Sequence, residues 1–475
     1  LFRSNRSAYR HRRETWAPFL AWLFGIQPRR SNYHIFQDYS PGRKSASAPR
    51  REVRFSQSGF EVKPESRAEQ HARNYRQRTA PQPDPARPSY QRAYNEPRKT
   101  VAPASTARAQ PQPHGNQKFR PLPPPVGQLP YRLSLEAVLA PAQIQAIQSS
   151  QRIILHIAGD TGGVKVPQSQ LIVAMAMEDQ FGYADASLRP AYFYNLGDVV
   201  YYFGEPKEYF AQFYEPYDHY PAPIFAIPGN HDGDVAPNTG PSLTGFVNNF
   251  CTAHPHTSPD AGEAIRETMT QPHVYWTLQA PFVTTIGLYS NVPEGGQIDD
   301  NQFRWFVNEL REAPTDKALI VTVHHPPYSA DGHHSGSHYM QQTLDSAFQQ
   351  SGRIADMVFS GHVHNYQRFT RQLSGREIPY IVAGAGGYWH LHYMAKLPSG
   401  EKMPAPYRMP EGPILESYCD DHHGFMRLMV TPTTVTGEYF TVSRPQESWR
   451  AAPVRTDLFF LDLRSHRMLK SGTPH

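Results

Sequence analysis

The chain of 475 residues is long enough for two or three domains, but 46 prolines and a 39% hydrophobic fraction argue against filling all of it with packed core. Its net charge of +5 conceals an asymmetry: residues 1–126 carry 24 Lys and Arg against 8 Asp and Glu (+16), and the rest carries 23 against 34 (−11). No run approaches the roughly 20 apolar residues of a membrane helix, and two cysteines, Cys251 and Cys419, allow one disulfide but indicate no compartment.

Residues 1–126 contain 17 prolines, run through QPDPARPSYQRAYNEPRK and end in RPLPPPV. Such a segment buries too little apolar surface to offset its ordering entropy, which predicts a disordered basic Pro/Arg/Gln-rich extension closed by a polyproline II spacer. Its charge suits polyanion contact; the plainer reading is a solvated linker. APFLAWLFGI at 17–26 follows five arginines and has the length of a signal-peptide core, yet Pro28-Arg29-Arg30 replaces a small-residue cleavage site.

From 127 to 450 short apolar runs alternate with Gly/Pro/Asp turns, and 451–475 reads as a C-terminal tail. SQLIVAMAMEDQF (169–181) suits a helix. So does DNQFRWFVNEL (300–310), with Phe303, Phe306, Val307 and Leu310 on one face and Asp299 or Asp300 as N-cap. GFMRLMVTPTTVTGEYFTV (424–442) reads as two antiparallel strands closing a sheet, and AGAGG (383–387) as a tight turn near the candidate ligands described next, without the Lys and Ser/Thr of a phosphate loop.

Five strand-like runs end in potential ligands. RIILHIAGDTGG ends in Asp160, AYFYNLGDVVYY in Asp198, PIFAIPGNHD in Asn230, His231 and Asp232, ALIVTVHHPPY in His324, and MVFSGHVHNYQR in His362 and His364. His156, inside the first run, reads as a satisfied core histidine. One Gly-Asp pair is a common turn, but the series gathers two carboxylates, an amide and three imidazoles where a rigid sheet aims its loops. This oxygen and nitrogen set suits borderline transition metals, and the lack of cysteines argues against a structural cysteine-type zinc site. Six donors exceed the needs of one zinc ion. Two metals sharing a carboxylate satisfy the count, and such pairs cleave phosphate esters.

Over about 150–445 these motifs resemble the calcineurin-like metallophosphoesterases, and within them the purple acid phosphatases. The usual Asp-x-His opening is here Asp160-Thr161-Gly162, and the second motif is Gly-Asp-x-x-Tyr with Tyr201 three residues after Asp198. This is the purple acid phosphatase exchange of an imidazole for a phenolate. The resemblance implies an α/β (α+β) fold, a four-layer αββα sandwich of two mixed β-sheets. It implies Fe(III) on Asp160, Tyr201 and His364, a divalent Zn, Mn or Fe on Asn230, His324 and His362, and Asp198 bridging them. It also implies hydrolysis of phosphate monoesters by a metal-bound hydroxide, with His231 as general acid, Asp232 orienting it, and His333 and His334 facing the substrate. His325 reads as facing away, and Tyr366 and Arg368 as support. The alternatives are a phosphodiesterase acting on nucleotide, nucleic-acid or lipid substrates, and a non-catalytic metal-binding scaffold. Family members are typically exported, whereas the basic tail is unusual, so compartment, substrate and oligomeric state stay open.

Overall fold

The computed structural model describes residues 121–234, 241–291, 296–449 and 451–469. The expected basic extension, up to residue 120, and the apolar run at 17–26 lie outside the described residues. Among those described, sixteen strands form two mixed sheets.

In chain order the strands are β1 (Arg132–Ser134), β2 (Ile153–Ala158), β3 (Tyr192–Asn195), β4 (Ile224–Ala226), β5 (Trp276–Ala280), β6 (Val283–Leu288), β7 (Ala318–Val323), β8 (Met357–Ser360), β9 (Tyr366–Leu373), β10 (Arg376–Ala383), β11 (Tyr407–Arg408), β12 (Ile414–Cys419), β13 (Gly424–Val430), β14 (Thr434–Thr441), β15 (Val454–Asp462) and β16 (Arg467–Leu469). The helices are α1 (Pro141–Ser150), α2 (Gln168–Asp179), α3 (Asn230–Gly233), α4 (Thr244–Phe250), α5 (Asp300–Glu312) and α6 (His338–Ser351).

The seven-stranded sheet has the order β16-β15-β14-β13-β2-β3-β4, and the nine-stranded sheet β1-β5-β6-β7-β8-β10-β9-β12-β11. In the first, β2, β3 and β4 are parallel; in the second, β6, β7, β8 and β10 are parallel. These central strands explain the texture of the sequence. Every residue of β2 (IILHIA) and β7 (ALIVTV) is buried, as expected of parallel strands covered on both faces.

The sheets pack face to face through aromatic side chains. Tyr194 of β3 stacks on Trp276 of β5 with centroids 6.1 Å apart. Thr322 Oγ1 of β7 donates to Tyr194 Oη at 3.2 Å, and Trp276 Nε1 donates to the Ala226 carbonyl at 3.1 Å. Each large side chain buried there contributes about 1.5–3 kcal/mol, and the partners of its polar atoms avoid an uncompensated desolvation cost. A second tie lies further out. Tyr366 of β9 stacks on Tyr439 of β14 at 3.8 Å and donates to Asp457 Oδ2 of β15 at 2.6 Å. Arg368 of β9 grips the same carboxylate with two hydrogen bonds, 2.7 and 3.0 Å.

Several sequence expectations are adjusted. The α5 cap is Asp299, whose carboxylate accepts from the Gln302 amide at 2.8 Å. Its buried face centres on Trp305, Phe306 and Leu310, with Phe303 only half-buried. Trp305 is drawn in by Tyr275, 4.9 Å away, and donates to the Pro130 carbonyl at 2.6 Å. The 424–442 hairpin, β13 and β14, does not close its sheet: β15 and β16 extend it. The body thus continues through the stretch set apart as a tail. Among the described residues no helix is long and apolar enough to cross a membrane.

Candidate metal centre

Every ligand motif singled out in the sequence stands just beyond the C-terminal end of a parallel strand. Asp160 follows β2, Asp198 and Tyr201 follow β3, and Asn230 opens α3 after β4. From the other sheet, His324 follows β7, and His362 and His364 follow β8. Asp160, Asp198 and His362 have φ of 55°, 54° and 68°. Non-glycine residues seldom adopt this left-handed region, and it recurs where structure is held for function. The neighbouring glycines permit the crowding. Gly197 has φ +98°, and a Cβ on Gly229 would stand 2.1 Å from Asp198 Oδ1.

Two donor groups converge. In the first, Tyr201 Oη lies 3.3 Å from Asp160 Oδ1 and 3.4 Å from His364 Nε2, and His364 Nε2 lies 3.5 Å from Asp160 Oδ1. In the second, Asn230 Oδ1 lies 2.9 Å from His362 Nδ1 and 3.1 Å from His324 Nε2. Asp198 joins them: its Oδ2 lies 3.4 Å from His324 Nε2, and one ligand atom each of Asp160, Asp198 and His324 falls within 4.8 Å of the others. Donors around an ion with bonds of about 2.1 Å stand about 3.0–3.4 Å apart at neighbouring corners.

Hydrogen bonds behind the ligands set which atoms face inward. His324 Nδ1 donates to the Leu196 carbonyl (2.8 Å) and His364 Nδ1 to the His390 carbonyl (3.0 Å), which turns both Nε2 lone pairs toward the centre. The inward nitrogens thus meet carboxylate and amide oxygens, an arrangement that needs a proton or a cation between them. The protonation balance agrees. Burial, with Asp198, pushes Asp160 up to about 7. Burial would raise Asp198 too, but His324, His231 and His362 hold it well below the carboxylate range. Burial lowers the His324 imidazole, yet Asp198 and Asp160 outweigh it and carry it to about 9. Burial and the same two carboxylates push the Tyr201 phenol well above 10. The donor set therefore fits metal binding.

The remaining predicted residues spread around this centre. His231 is half-buried; its backbone N–H donates to Asp198 Oδ1 (2.9 Å) and its Nδ1 lies 3.0 Å from the Tyr202 carbonyl. The Asp232 carboxylate accepts from the amides of Gly229 (2.8 Å), Val200 (3.1 Å) and Val199 (3.2 Å), so it ties the loops after β3 and β4 together. His334 is buried with its ring 4.7 Å from His362, and His333 is exposed. His325 lies behind His362, its Nδ1 2.7 Å from Ser290 Oγ. Cys251 and Cys419 are both free thiols. Cys419, Asp421 and His422 form a separate cluster of donors at the surface, where Arg444 already pairs with Asp421.

Sequence reasoning named the AGAGG turn after β10 but missed the residues that follow it. AGAGG is braced against the first loop: Gly386 N donates to the Gly159 carbonyl (3.0 Å) and Tyr388 N to the Asp160 carbonyl (2.8 Å). The chain then lays Tyr388 against Tyr201 and His364, with ring centroids 4.3 and 4.4 Å away, and His392 against His364 at 4.4 Å. The available signal was His390-Leu391-His392, which repeats the alternate histidines of GHVH. Gln212 also escaped notice; it pins Tyr201 through both backbone groups at 2.9 Å.

Residues 156–366 match the calcineurin-like phosphoesterase family. Purple acid phosphatase 21 of Arabidopsis thaliana is 28% identical over 171 residues, 34% of this chain and 36% of that protein. Purple acid phosphatase 1 of Ipomoea batatas is 28% identical over 148 residues, 30% of this chain and 28% of that protein. Among solved structures, purple acid phosphatase PPD1 from yellow lupin (Lupinus luteus) seeds aligns with a TM-score of 0.47 and 15% identity, covering 66% of this chain and 54% of that one. The chain thus spans about a third of the length of the curated relatives it matches. All seven candidate ligand positions fall inside the matched residues, and over that stretch the chain is similar to the calcineurin-like phosphoesterases, with purple acid phosphatases among the proteins it resembles.

Proposed function

We propose that the chain is a dimetal-dependent hydrolase of phosphate monoesters, of the acid phosphatase type. The observation that carries this reading is the meeting of two donor groups, Asp160/Tyr201/His364 and Asn230/His324/His362, joined by Asp198. Hard anionic oxygens on the first side suit Fe(III), and neutral nitrogen and amide oxygen on the second suit Zn, Mn or Fe(II). Such an ion pair, when bound, acidifies water and supplies Lewis acidity at phosphoryl oxygens.

The protein's own groups do the rest. The β2, β3, β4, β7 and β8 loops fix the ligands, and Gln212 and Tyr388 hold the Tyr201 ring in place. His231 Nδ1–H donates to the Tyr202 carbonyl, so the proton for the leaving alkoxide comes from Nε2 of the imidazolium, and the neutral ring left behind keeps its Nδ1–H. Asp232 positions His231 indirectly by fixing the α3 turn. His334, beside His362, offers N–H donation to the phosphoryl group.

The test combines metal analysis, the visible spectrum and turnover of an aryl phosphate. About one iron and one divalent ion per chain, with a phenolate-to-Fe(III) absorption band lost in Tyr201→Phe, supports the assignment. His231→Ala should lower kcat about 100- to 10,000-fold with metal retained. A colourless protein that still turns over would refute the ferric assignment, and full turnover by His231→Ala would refute the acid.

A further inference from the structure

Outside the Asp198-bridged centre, Cys419, Asp421 and His422 gather a thiol, a carboxylate and an imidazole, with one ligand atom of each within 4.8 Å of the others. They lie at the turn between β12 and β13. β12 belongs to the nine-stranded sheet and β13 to the seven-stranded one, so this turn carries the chain from one sheet to the other. Cys419 is half-buried, and the His422 and Asp421 side chains are 31% and 51% exposed.

The turn is held from behind. Asp420 and His423 are buried; Asp420 Oδ2 accepts from the Met394 amide (3.0 Å), and His423 Nε2 donates to the Tyr388 carbonyl (2.8 Å). With these two residues turned inward, the thiol, carboxylate and imidazole face one another at the surface. Arg444 orients the carboxylate: its Nη2 donates to Asp421 Oδ2 (3.1 Å) and its Nε to the Asp421 carbonyl (3.0 Å). Oδ1 is thereby given to the other two groups, 3.5 Å from Cys419 Sγ and 2.8 Å from His422 Nδ1. Neighbours that orient a ligating carboxylate in this way are the usual support of a metal ligand. The spacing is that of a tetrahedral ion. Bonds of about 2.3 Å to sulfur and about 2.0 Å to oxygen or nitrogen put sulfur and oxygen corners about 3.5 Å apart, and oxygen and nitrogen corners about 3.3 Å apart. The first matches the Cys419–Asp421 distance, and a small outward rotation of the surface His422 ring, now in hydrogen-bond contact, gives the second. An S–H is a weak donor, so Cys419 gives this cluster little as a thiol and more as a thiolate ligand.

We infer that Cys419, Asp421 and His422 bind Zn(II) at a site of their own, apart from the catalytic centre, with water in the remaining position. Thiolate beside imidazole and carboxylate selects a borderline-soft divalent ion over Mg or Ca. Coordination takes the thiol proton outright, which passes to solvent, and the neutral His422 ring keeps its proton on Nε2. The ion clamps the crossing between the sheets. Through Asp420 and His423 it also braces the segment 388–394, which lays Tyr388 and His392 against the catalytic ligands.

The test is titration of the full chain with Co(II), a spectroscopic stand-in for Zn(II), after dialysis against a chelator has cleared the surface site. Thiolate coordination gives a sulfur-to-cobalt charge-transfer band in the near ultraviolet, which the oxygen and nitrogen donors of the catalytic centre cannot give. The wild type should develop this band and lose it when Zn(II) is added. Cys419→Ser should abolish it. Asp421→Asn and His422→Ala, at surface positions where the fold is not at stake, should each weaken Co(II) binding by about tenfold or more. Absence of the band in the folded wild type overturns the inference. So does a band that survives in Cys419→Ser, which would assign it to Cys251. A band untouched by both Asp421→Asn and His422→Ala overturns it as well, since a lone thiol would then be taking up the metal. None of these readouts depends on turnover, so the hydrolase reading stands or falls separately.

Discussion

His156 sits four residues before Asp160 and should make the fold sensitive to acid. Its Nδ1 lies 3.0 Å from Tyr220 Oη and its Nε2 3.1 Å from Gln180 Oε1, and the ring is packed against Phe425 at 5.1 Å. Burial lowers its pKa from 6.5 to about 3; the Gln180 bond opposes this and Arg427 adds to it. A base whose folded pKa lies below its unfolded one binds fewer protons when folded, so acid favours the unfolded chain. The stability concerned is fully present above about pH 6.5, declines as pH falls, and is lost by about pH 3. At about 1.36 kcal/mol per pH unit, the loss is about 2 kcal/mol by pH 5 and about 3 kcal/mol by pH 4. His156→Gln removes the titration but gives up a buried hydrogen bond, costing about 1–3 kcal/mol at pH 7.5. The wild-type and variant curves should therefore converge on acidification and cross between about pH 4 and pH 6. Urea midpoints read by circular dichroism across pH 4 to 8 provide the assay, and the difference between the two proteins cancels the other titrating groups. Parallel curves would refute the reasoning, since they would mean that His156 gains a proton as readily in the fold as out of it.

Two other perturbations address the frame of the site. Asp457→Ala leaves Arg368 without its two-bond partner and Tyr366 without its acceptor. It should cost about 3–5 kcal/mol, measured by denaturant unfolding. Gly229→Ala places a methyl 2.1 Å from Asp198 Oδ1 and 2.4 Å from its amide nitrogen. Metal content measured by mass spectrometry should fall by about tenfold or more, as expected when a ligand is displaced, while the near-native far-ultraviolet spectrum persists.

The candidate ligands were legible because each follows a mostly apolar strand that is buried along its whole length, and because Tyr201 keeps a fixed spacing from Asp198. Those are local properties. Tyr388 and His392 were not legible, since their place depends on AGAGG folding back against Gly159 and Asp160, a contact across more than two hundred residues. The glycine pattern announced a turn near the candidate ligands but not which rings the residues after it would lay against them. β15 was read as tail because it opens on Val454, Arg455, Thr456 and Asp457, a stretch without an apolar run, and its first three residues are exposed while full burial is confined to its second half. Trp305 was left off the buried face because its partners, Tyr275 and the Pro130 carbonyl, belong to distant segments.

The origin of the ligands also makes a claim about stability. Asp160, Asp198, Tyr201 and Asn230 come from the seven-stranded sheet, and His324, His362 and His364 from the nine-stranded one. Each donor group therefore draws on both sheets, so a bound ion cross-links them at the end where three backbone positions already sit at left-handed φ. The folded chain alone offers this geometry, and binding stabilises it by mass action, about 2.7 kcal/mol per site at a hundredfold excess over Kd. Chelation should lower the thermal midpoint and raise amide exchange in both loop sets together, 159–163 and 197–201 from one sheet and 361–365 from the other. The distant tie at Tyr366, Tyr439 and Asp457 should keep its protection, because it joins the sheets without the metals. Exchange that rises in the loops of one sheet alone would mean that the ions are held by that sheet and merely approached by the other.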